Sequence, residues 1–149
     1  MKLSKNFSRA EIEHSNTAKR LGISNEMSEK HLENMQRLID NLIQPLRDSI
    51  GPIRISSGYR SPSLNRAIGG SSRSQHSKAE ALDLQFWSEG KMNNKVIYDW
   101  IIDSGLEFDQ MINEFDFAWI HISLKKNSNR KQTLEAYKDE DGDTAYRLV

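Results

Sequence analysis

The hydrophobic repeat of the chain changes from a helical to a strand period at Gly51-Pro52. Before this break, segment 28–50 has apolar residues at three- and four-residue steps, which predicts an amphipathic helix. Pro45 lies inside this segment and should kink or end the helix, because proline has no N–H to donate. After the break, short apolar stretches alternate with polar residues, which is typical of strands. Helices that precede a group of strands favour an α+β fold with an antiparallel sheet.

Capping and turn residues divide the rest of the chain into shorter elements. Ser8 and Ser61 are typical N-caps, so we expect a short helix after each of them. The stretch GGSSRSQHS, residues 69–77, is too rich in glycine and serine for regular structure and should be a loop. It leads to a strand, ALDLQF, and then to a helix that ends at Gly105. Two hairpins should complete the sheet, FDQMINEF with WIHISL and QTLEAY with TAYRL.

Length and composition restrict the possible partners. The 149 residues fit one domain, 1–149, with no room for a second full domain. Acidic and basic residues are equal in number, 21 each, which disfavours a nucleic acid as the main partner. No stretch approaches ~20 apolar residues, and the N-terminus lacks the apolar region of a signal peptide. We therefore expect a protein that is made in the cytoplasm without a signal peptide and has no membrane partner.

The candidate metal ligands are two histidines and one aspartate. The chain has no cysteine, so any metal site must use histidine and carboxylate side chains. His76 and His121 lie beside or inside predicted strands, and Asp83 lies in the strand that follows His76. Two imidazoles and one carboxylate suit zinc with a fourth position open for water, which is the arrangement of a catalytic site. The spacing of these residues is by itself a weak signal.

The sequence motifs around these residues are a more specific signal than their spacing. The segment SSGYRSPSLNRAIGGSSRSQHSKAEALDL and the later EFDFAWIHIS resemble the zinc D-Ala-D-Ala carboxypeptidase and L-alanyl-D-glutamate endopeptidase family, which includes many phage endolysins. That family has Ser-x-His-x-x-Gly-x-Ala-x-Asp, then Trp-x-His. The matching residues are Ser57 to Arg60, Ser74, His76, Ala81, Asp83, Trp119 and His121. Ala79 stands where the family usually has glycine, and it costs stability if that position needs a positive φ.

The resemblance implies a fold and a metal site. It implies N-terminal helices packed on a small antiparallel sheet that carries a zinc site, as in hedgehog and D-Ala-D-Ala peptidase-like proteins. His76, Asp83 and His121 would be the ligands of one Zn²⁺ per chain. In this family the arginine that corresponds to Arg60 binds the substrate and polarises its carbonyl; the alternative for Arg60 is a surface salt bridge.

A zinc peptidase also needs a general base, for which two residues compete. If the predicted hairpin pairs Glu114 with His121, the two side chains share one face and Glu114 lies next to the metal. Asp116, in or near the turn, is the competing candidate. The family's usual position for the acid, three residues before the last histidine, is occupied here by Ala118. The remaining alternative is that both acidic side chains are merely solvent-exposed in a turn and have no catalytic role.

Three further residues are candidate substrate contacts. Ser74 would bind substrate or support His76, and Gln110 would share the face of Glu114. Trp119 would lie on the same strand face as His121 and form a wall of the cleft, although an aromatic residue in a strand is at least as often part of the core.

These observations lead to one hypothesis and two rivals. The hypothesis is a monomeric zinc metallopeptidase that cuts stem or cross-bridge peptides of bacterial peptidoglycan, with Arg60, Glu114 or Asp116 in catalysis. The resemblance implies a phage or prophage lysin that reaches the cell wall after release or is associated with the virion. The first rival is a zinc-containing binding module that has lost turnover. The second is a phage structural component that uses the fold as a scaffold without metal.

Overall fold

A computed structural model describes residues 1–149. The helices are α1 (Arg9–Glu13), α2 (Asn16–Leu21), α3 (Glu29–Leu38), α4 (Gln44–Ile50), α5 (Pro62–Ala67) and α6 (Lys95–Ser104). The strands are β1 (Ile53–Ser57), β2 (Ala81–Ser88), β3 (Lys91–Met92), β4 (Gln110–Glu114), β5 (Trp119–Ser123), β6 (Gln132–Lys138) and β7 (Thr144–Leu148). None of the helices combines the length and the apolar character that a membrane crossing needs.

Serine caps start most of the short helices. The side chains of Ser8 and Ser61 accept hydrogen bonds from backbone N–H groups three residues later, which confirms the predicted starts of α1 and α5. Ser15 caps α2 in the same way, but this helix was not predicted because its sequence, NTAKRL, buries only Ala18. Gly105 ends α6 in the left-handed conformation, as predicted.

The long helical segment contains a π-helical turn just before Pro45, where a kink or an end was predicted. Helix α3 passes into a π-helical turn, Ile39–Ile43, and continues as α4 with Pro45 in its first turn. The wider turn accommodates the proline, which cannot donate to the preceding turn, so the helical segment continues past it. The apolar residues in and around the π-helical turn are fully buried: Leu38, Ile39, Leu42, Ile43 and Leu46.

The strands form one sheet in the order β1-β2-β5-β4-β6-β7, with β3 paired to β2. The α+β class is confirmed and both predicted hairpins are present, but the sheet is mixed because β4 and β6 are parallel. The chain between β5 and β6 returns to the start of β4, where Lys131 N–H and Gln132 N–H donate to the carbonyls of Phe108 and Asp109. The second hairpin is thereby added to the far side of β4.

The two faces of the sheet have different environments. Leu82, Leu84, Met111, Ile120 and Ile122 are fully buried in the core with the residues of α3, α4 and α6. Because side chains alternate along a strand, the residues between them lie on the opposite face. That face carries the candidate site residues of the central strands.

The pairing of β4 with β5 corrects the predicted register. Glu114 lies opposite Trp119, and Ile112 lies opposite His121, so the direct pairing of Glu114 with His121 is wrong. The strands come together across a four-residue connection, 115–118, which is two residues shorter than the assumed pairing required. A shift of two residues keeps the same side chains on the same face, so Glu114 and His121 still share a face.

Candidate metal centre

His76 is held by a short 3₁₀ turn, Gln75–Lys78. The end of the segment predicted as irregular is therefore helical, because the Ser74 hydroxyl accepts from the His76 N–H at 3.2 Å and caps the turn. Ala79 ends the turn with φ 56°, the positive φ that the comparison with glycine suggested. The imidazole Nδ1 lies 2.8 Å from the carbonyl oxygen of Gly58, which fixes the direction of the ring.

The Gly58 carbonyl oxygen can reach His76 Nδ1 only because residue 58 has no side chain. A Cβ at this position would overlap the carbonyl oxygen of Ile12, which accepts the N–H of Tyr59 at 2.9 Å. The end of β1 is therefore packed directly against α1. This contact places the Gly58 carbonyl oxygen at hydrogen-bond distance from His76 Nδ1, which explains why the SGYR segment has glycine at position 58.

Asp83 and His121 are brought together by adjacent strands. The two residues lie directly opposite each other in the β2–β5 ladder, so their side chains share a face. One carboxylate oxygen of Asp83 lies 3.2 Å from His76 Nε2 and 3.2 Å from His121 Nδ1. The two imidazole rings meet edge to face with their centroids 5.2 Å apart.

The outer nitrogens of both imidazoles have acceptors of their own. His76 Nδ1–H can donate to Gly58, and His121 Nε2 lies 3.4 Å from the Gln75 side-chain oxygen, a longer contact. When these N–H groups point outward, the inner nitrogens direct lone pairs at the Asp83 oxygen. Three electron-rich atoms then converge with no proton between them. A bound cation would offset the repulsion among these atoms. The two distances from Asp83 to the imidazole nitrogens, 3.2 Å each, are close to the ~3.3 Å edge of a tetrahedral zinc site, and all three ligand atoms lie within 4.8 Å of one another, so the residues fit this metal.

A chain of polar contacts around the buried Asp109 supports His121 on the side away from Asp83. The Gln75 side-chain N–H donates to Asp109 at 2.8 Å, and Asp109 is fully buried. Arg130 donates to both oxygens of Asp109, at 3.0 and 2.7 Å. Sequence reasoning missed Gln75, Asp109 and Arg130, because their proximity depends on the return of the chain between β5 and β6. No local sequence signal identifies them.

The electrostatics favour a charged aspartate beside a glutamate that is harder to ionise. Burial raises the pKa of Asp83, but His76 and His121 outweigh this effect and hold the pKa well below its usual range. Burial, with the negative charge of Asp83, raises the pKa of Glu114 to about 7, and His121 lowers it in part. Asp83 is thus ionised as a ligand must be, and Glu114 can exchange a proton near neutral pH.

The remaining candidate residues fall into two groups. Arg60, Ser74, Gln110, Glu114 and Trp119 line the same cavity as His76, Asp83 and His121, with a volume of about 590 Å³. Asp116 is exposed in the turn between β4 and β5 and does not line this cavity. Residues 115–117 of this turn all have positive φ, and Asn113 and Asn94 hold them by hydrogen bonds to Phe117.

Arg60 has an incomplete set of partners. Its Nε is buried without a hydrogen-bond partner, and its side chain forms no ion pair. Burial lowers the pKa of the guanidinium, while the nearby Asp83 raises it. A surface salt bridge, the alternative considered for Arg60, is therefore absent. A half-buried guanidinium that lines a cavity and forms no ion pair is suited to binding an oxygen of another molecule.

The comparisons with known proteins locate the same region. A family model described as Peptidase M15 matches residues 5–123, which include His76, Asp83, Glu114 and His121. No curated protein matches the chain.

Proposed function

Because the chain belongs to the peptidase M15 family of zinc peptidases, we propose that it hydrolyses peptide bonds of bacterial peptidoglycan with one zinc ion held by His76, Asp83 and His121. The observation that carries the proposal is the convergence of three ligand atoms in a cavity that also contains Glu114. When bound, zinc supplies a Lewis acid, which polarises a carbonyl oxygen and acidifies water.

Glu114 is the proposed general base and acid. It shares the face of His121, lines the cavity, and is the carboxylate there whose pKa lies near neutral pH. Its carboxylate would take a proton from the attacking water and deliver it to the amine nitrogen as the C–N bond breaks. The products are one new carboxylate and one new amine, which balance the added water.

Arg60 is the proposed oxyanion and substrate contact. Its guanidinium, which lines the cavity and forms no ion pair, can donate to the substrate carbonyl oxygen, on which negative charge develops during attack. Arg73 lines the same cavity and is exposed. Two guanidinium groups favour a peptide that carries carboxylates, a property of peptidoglycan stem peptides. Ser74, Gln110 and Trp119 complete the proposed substrate contacts.

The proposed setting is a phage or prophage lysin that acts as a monomer. The resemblance of the motifs to a family with many endolysins supports this setting. Such a protein would reach the cell wall after release from the cytoplasm or as part of a virion.

A catalytically inactive zinc-binding module is the second candidate. The observation that favours it is Ala118, which occupies the position of the usual catalytic acid in the resembling family. In that case Glu114 would not transfer protons, and the cavity would bind a wall peptide without cutting it.

Digestion of purified peptidoglycan distinguishes these candidates. We expect the zinc-loaded wild type to release muropeptides with new amine and carboxyl termini, which mass spectrometry identifies together with the bond cut. At equal zinc content, Glu114→Gln should reduce the rate by roughly 10²–10⁴-fold, whereas Asp116→Asn is the matched control and should remain active. No cleavage of any wall type by the zinc-loaded wild type would contradict the peptidase proposal and favour the binding module.

A further inference from the structure

The hairpin β6–β7 lies outside the residues that match the family model, yet it forms part of the cavity. The match ends at residue 123, and the two strands span 132–138 and 144–148. Leu134, Thr144 and Tyr146 line the same cavity as His76 and Glu114. Ser71 and Arg73 line it from the loop before His76. One wall of the cavity is therefore formed by residues that match the family model, and another wall is formed by the C-terminal hairpin, which lies outside the match.

The strand register places Tyr146 beside Glu114 across a small residue. Glu114 lies opposite Ala136 in the parallel ladder, and Ala136 lies opposite Tyr146 in the hairpin. Residues opposite each other share a face, so Glu114, Ala136 and Tyr146 form one row across three strands. Two strand spacings separate the outer members by roughly 10 Å. Ala136, in the middle of this row, is only 1% exposed, whereas Glu114 and Tyr146 on either side of it both line the cavity.

The two faces of the hairpin differ in the contacts that their side chains make. On the face away from the cavity, Arg147 forms an ion pair with Glu135 and lies over the ring of Tyr137, 4.3 Å from its centroid. On the cavity face, Tyr146 is 54% exposed and its hydroxyl has no hydrogen-bond partner. Burial and the charges of Glu114 and Asp83 raise its pKa, which agrees with its position at the edge of the site.

We infer that the β6–β7 hairpin is a substrate-binding wall, in which Tyr146 contacts the amino-acid residue that follows the scissile bond. This inference rests on the proposed peptidase function. Glu114 delivers its proton to the amine nitrogen of that following residue, so the residue lies on the Glu114 side of the cavity. On that side Tyr146 lines the cavity with an aromatic ring and a hydroxyl that has no hydrogen-bond partner. A peptide side chain or terminal carboxylate can pack on this ring and accept its O–H.

The first test compares variants on the two faces of the same hairpin. Tyr146→Ala should raise KM about tenfold with little change in kcat, because the ring would lose apolar contact with the bound peptide. Tyr146→Phe should raise KM by a smaller factor if the hydroxyl also contacts the substrate. Tyr137→Ala and Tyr137→Phe are the matched controls on the opposite face. Equal zinc content and equal circular dichroism establish that all variants are folded.

Substrate selectivity gives the second test. In peptides that differ only in the residue after the scissile bond, Tyr146→Ala should reduce the spread of kcat/KM values. Peptides that differ only before the bond should keep the wild-type spread. An unchanged KM and an unchanged selectivity in Tyr146→Ala, with active wild-type enzyme, would overturn the inference and leave the peptidase function intact.

A binding measurement separates failure of the inference from failure of the proposed function. Zinc-loaded Glu114→Gln, titrated with a stem tetrapeptide by calorimetry, should bind about tenfold more weakly when Tyr146→Ala is added. Equal affinity of the single and double variants would overturn the inference even if the wild type cleaves no wall.

Discussion

Replacing Glu114 by glutamine should stabilise the metal-free protein at alkaline pH and leave its stability nearly unchanged in acid. Glu114 has an ordinary pKa of 4.5, which the folded state raises to about 7 through burial and the charge of Asp83. The folded state therefore holds this proton more tightly than the unfolded state does. The resulting stabilisation is fully present below pH 4.5 and is lost as the pH rises through about 7.

The size of the effect follows from the two pKa values. At roughly 1.4 kcal/mol per pH unit, the difference between 4.5 and about 7 corresponds to about 3 kcal/mol. Glu114 is only 8% exposed, so solvent screens little of this energy. Glutamine has almost the same volume and no charge. Above pH 8, metal-free Glu114→Gln should therefore exceed the wild type in free energy of unfolding by about 3 kcal/mol.

Urea unfolding in the presence of a chelator measures this difference. The three tryptophans report the transition by fluorescence, and each pH is measured for the wild type and the variant. Titrating groups that lie far from Glu114 affect both proteins equally, so they cancel in the difference. Asp116→Asn removes an exposed carboxylate from the adjacent turn and should change stability by less than about 0.5 kcal/mol at every pH. A Glu114→Gln difference that is the same at pH 4 and pH 8.5 would refute the reasoning.

Three further predictions concern the metal, the substrate and the backbone. Gln75→Leu removes the contact between His121 and Asp109 and should weaken zinc binding roughly 10–100-fold in chelator competition; unchanged affinity would exclude a supporting role. Arg60→Lys keeps the charge but loses the planar donor, so hydrolysis should fall roughly 10²-fold or more at full zinc occupancy, and normal turnover would contradict this role. Ala79→Gly relieves a positive φ worth ~1 kcal/mol but deletes a buried methyl worth ~0.8 kcal/mol, so unfolding free energy should change by less than about 0.5 kcal/mol; a larger change in urea unfolding would contradict this balance.

Features that depend on neighbouring residues could be predicted from the sequence. Ser8 and Ser61 cap helices because a cap needs only its own side chain and the next few N–H groups. The first hairpin is similar, since its two strands are separated by four residues. Its register was misassigned, but the even shift kept Glu114 on the face of His121.

Features that depend on contacts between residues far apart in the sequence could not be predicted in the same way. The parallel pairing of β4 with β6 requires the chain to return to the start of β4 before the last hairpin forms. This return brings Arg130 to Asp109 and Tyr146 to the cavity. No periodicity or turn residue encodes these contacts, because the partners lie 21 residues apart in one case and on three different strands in the other.

The zinc content of purified protein tests the proposed metal centre most directly. Elemental analysis after dialysis should find about one zinc per chain in the wild type and in Glu114→Gln. His76→Ala, Asp83→Ala and His121→Ala should each lose most of it while keeping the wild-type circular dichroism, because each removes one of three convergent ligand atoms. Wild-type protein that holds no zinc after refolding in zinc buffer, or a His121→Ala variant that binds zinc as tightly as the wild type, would contradict the assignment.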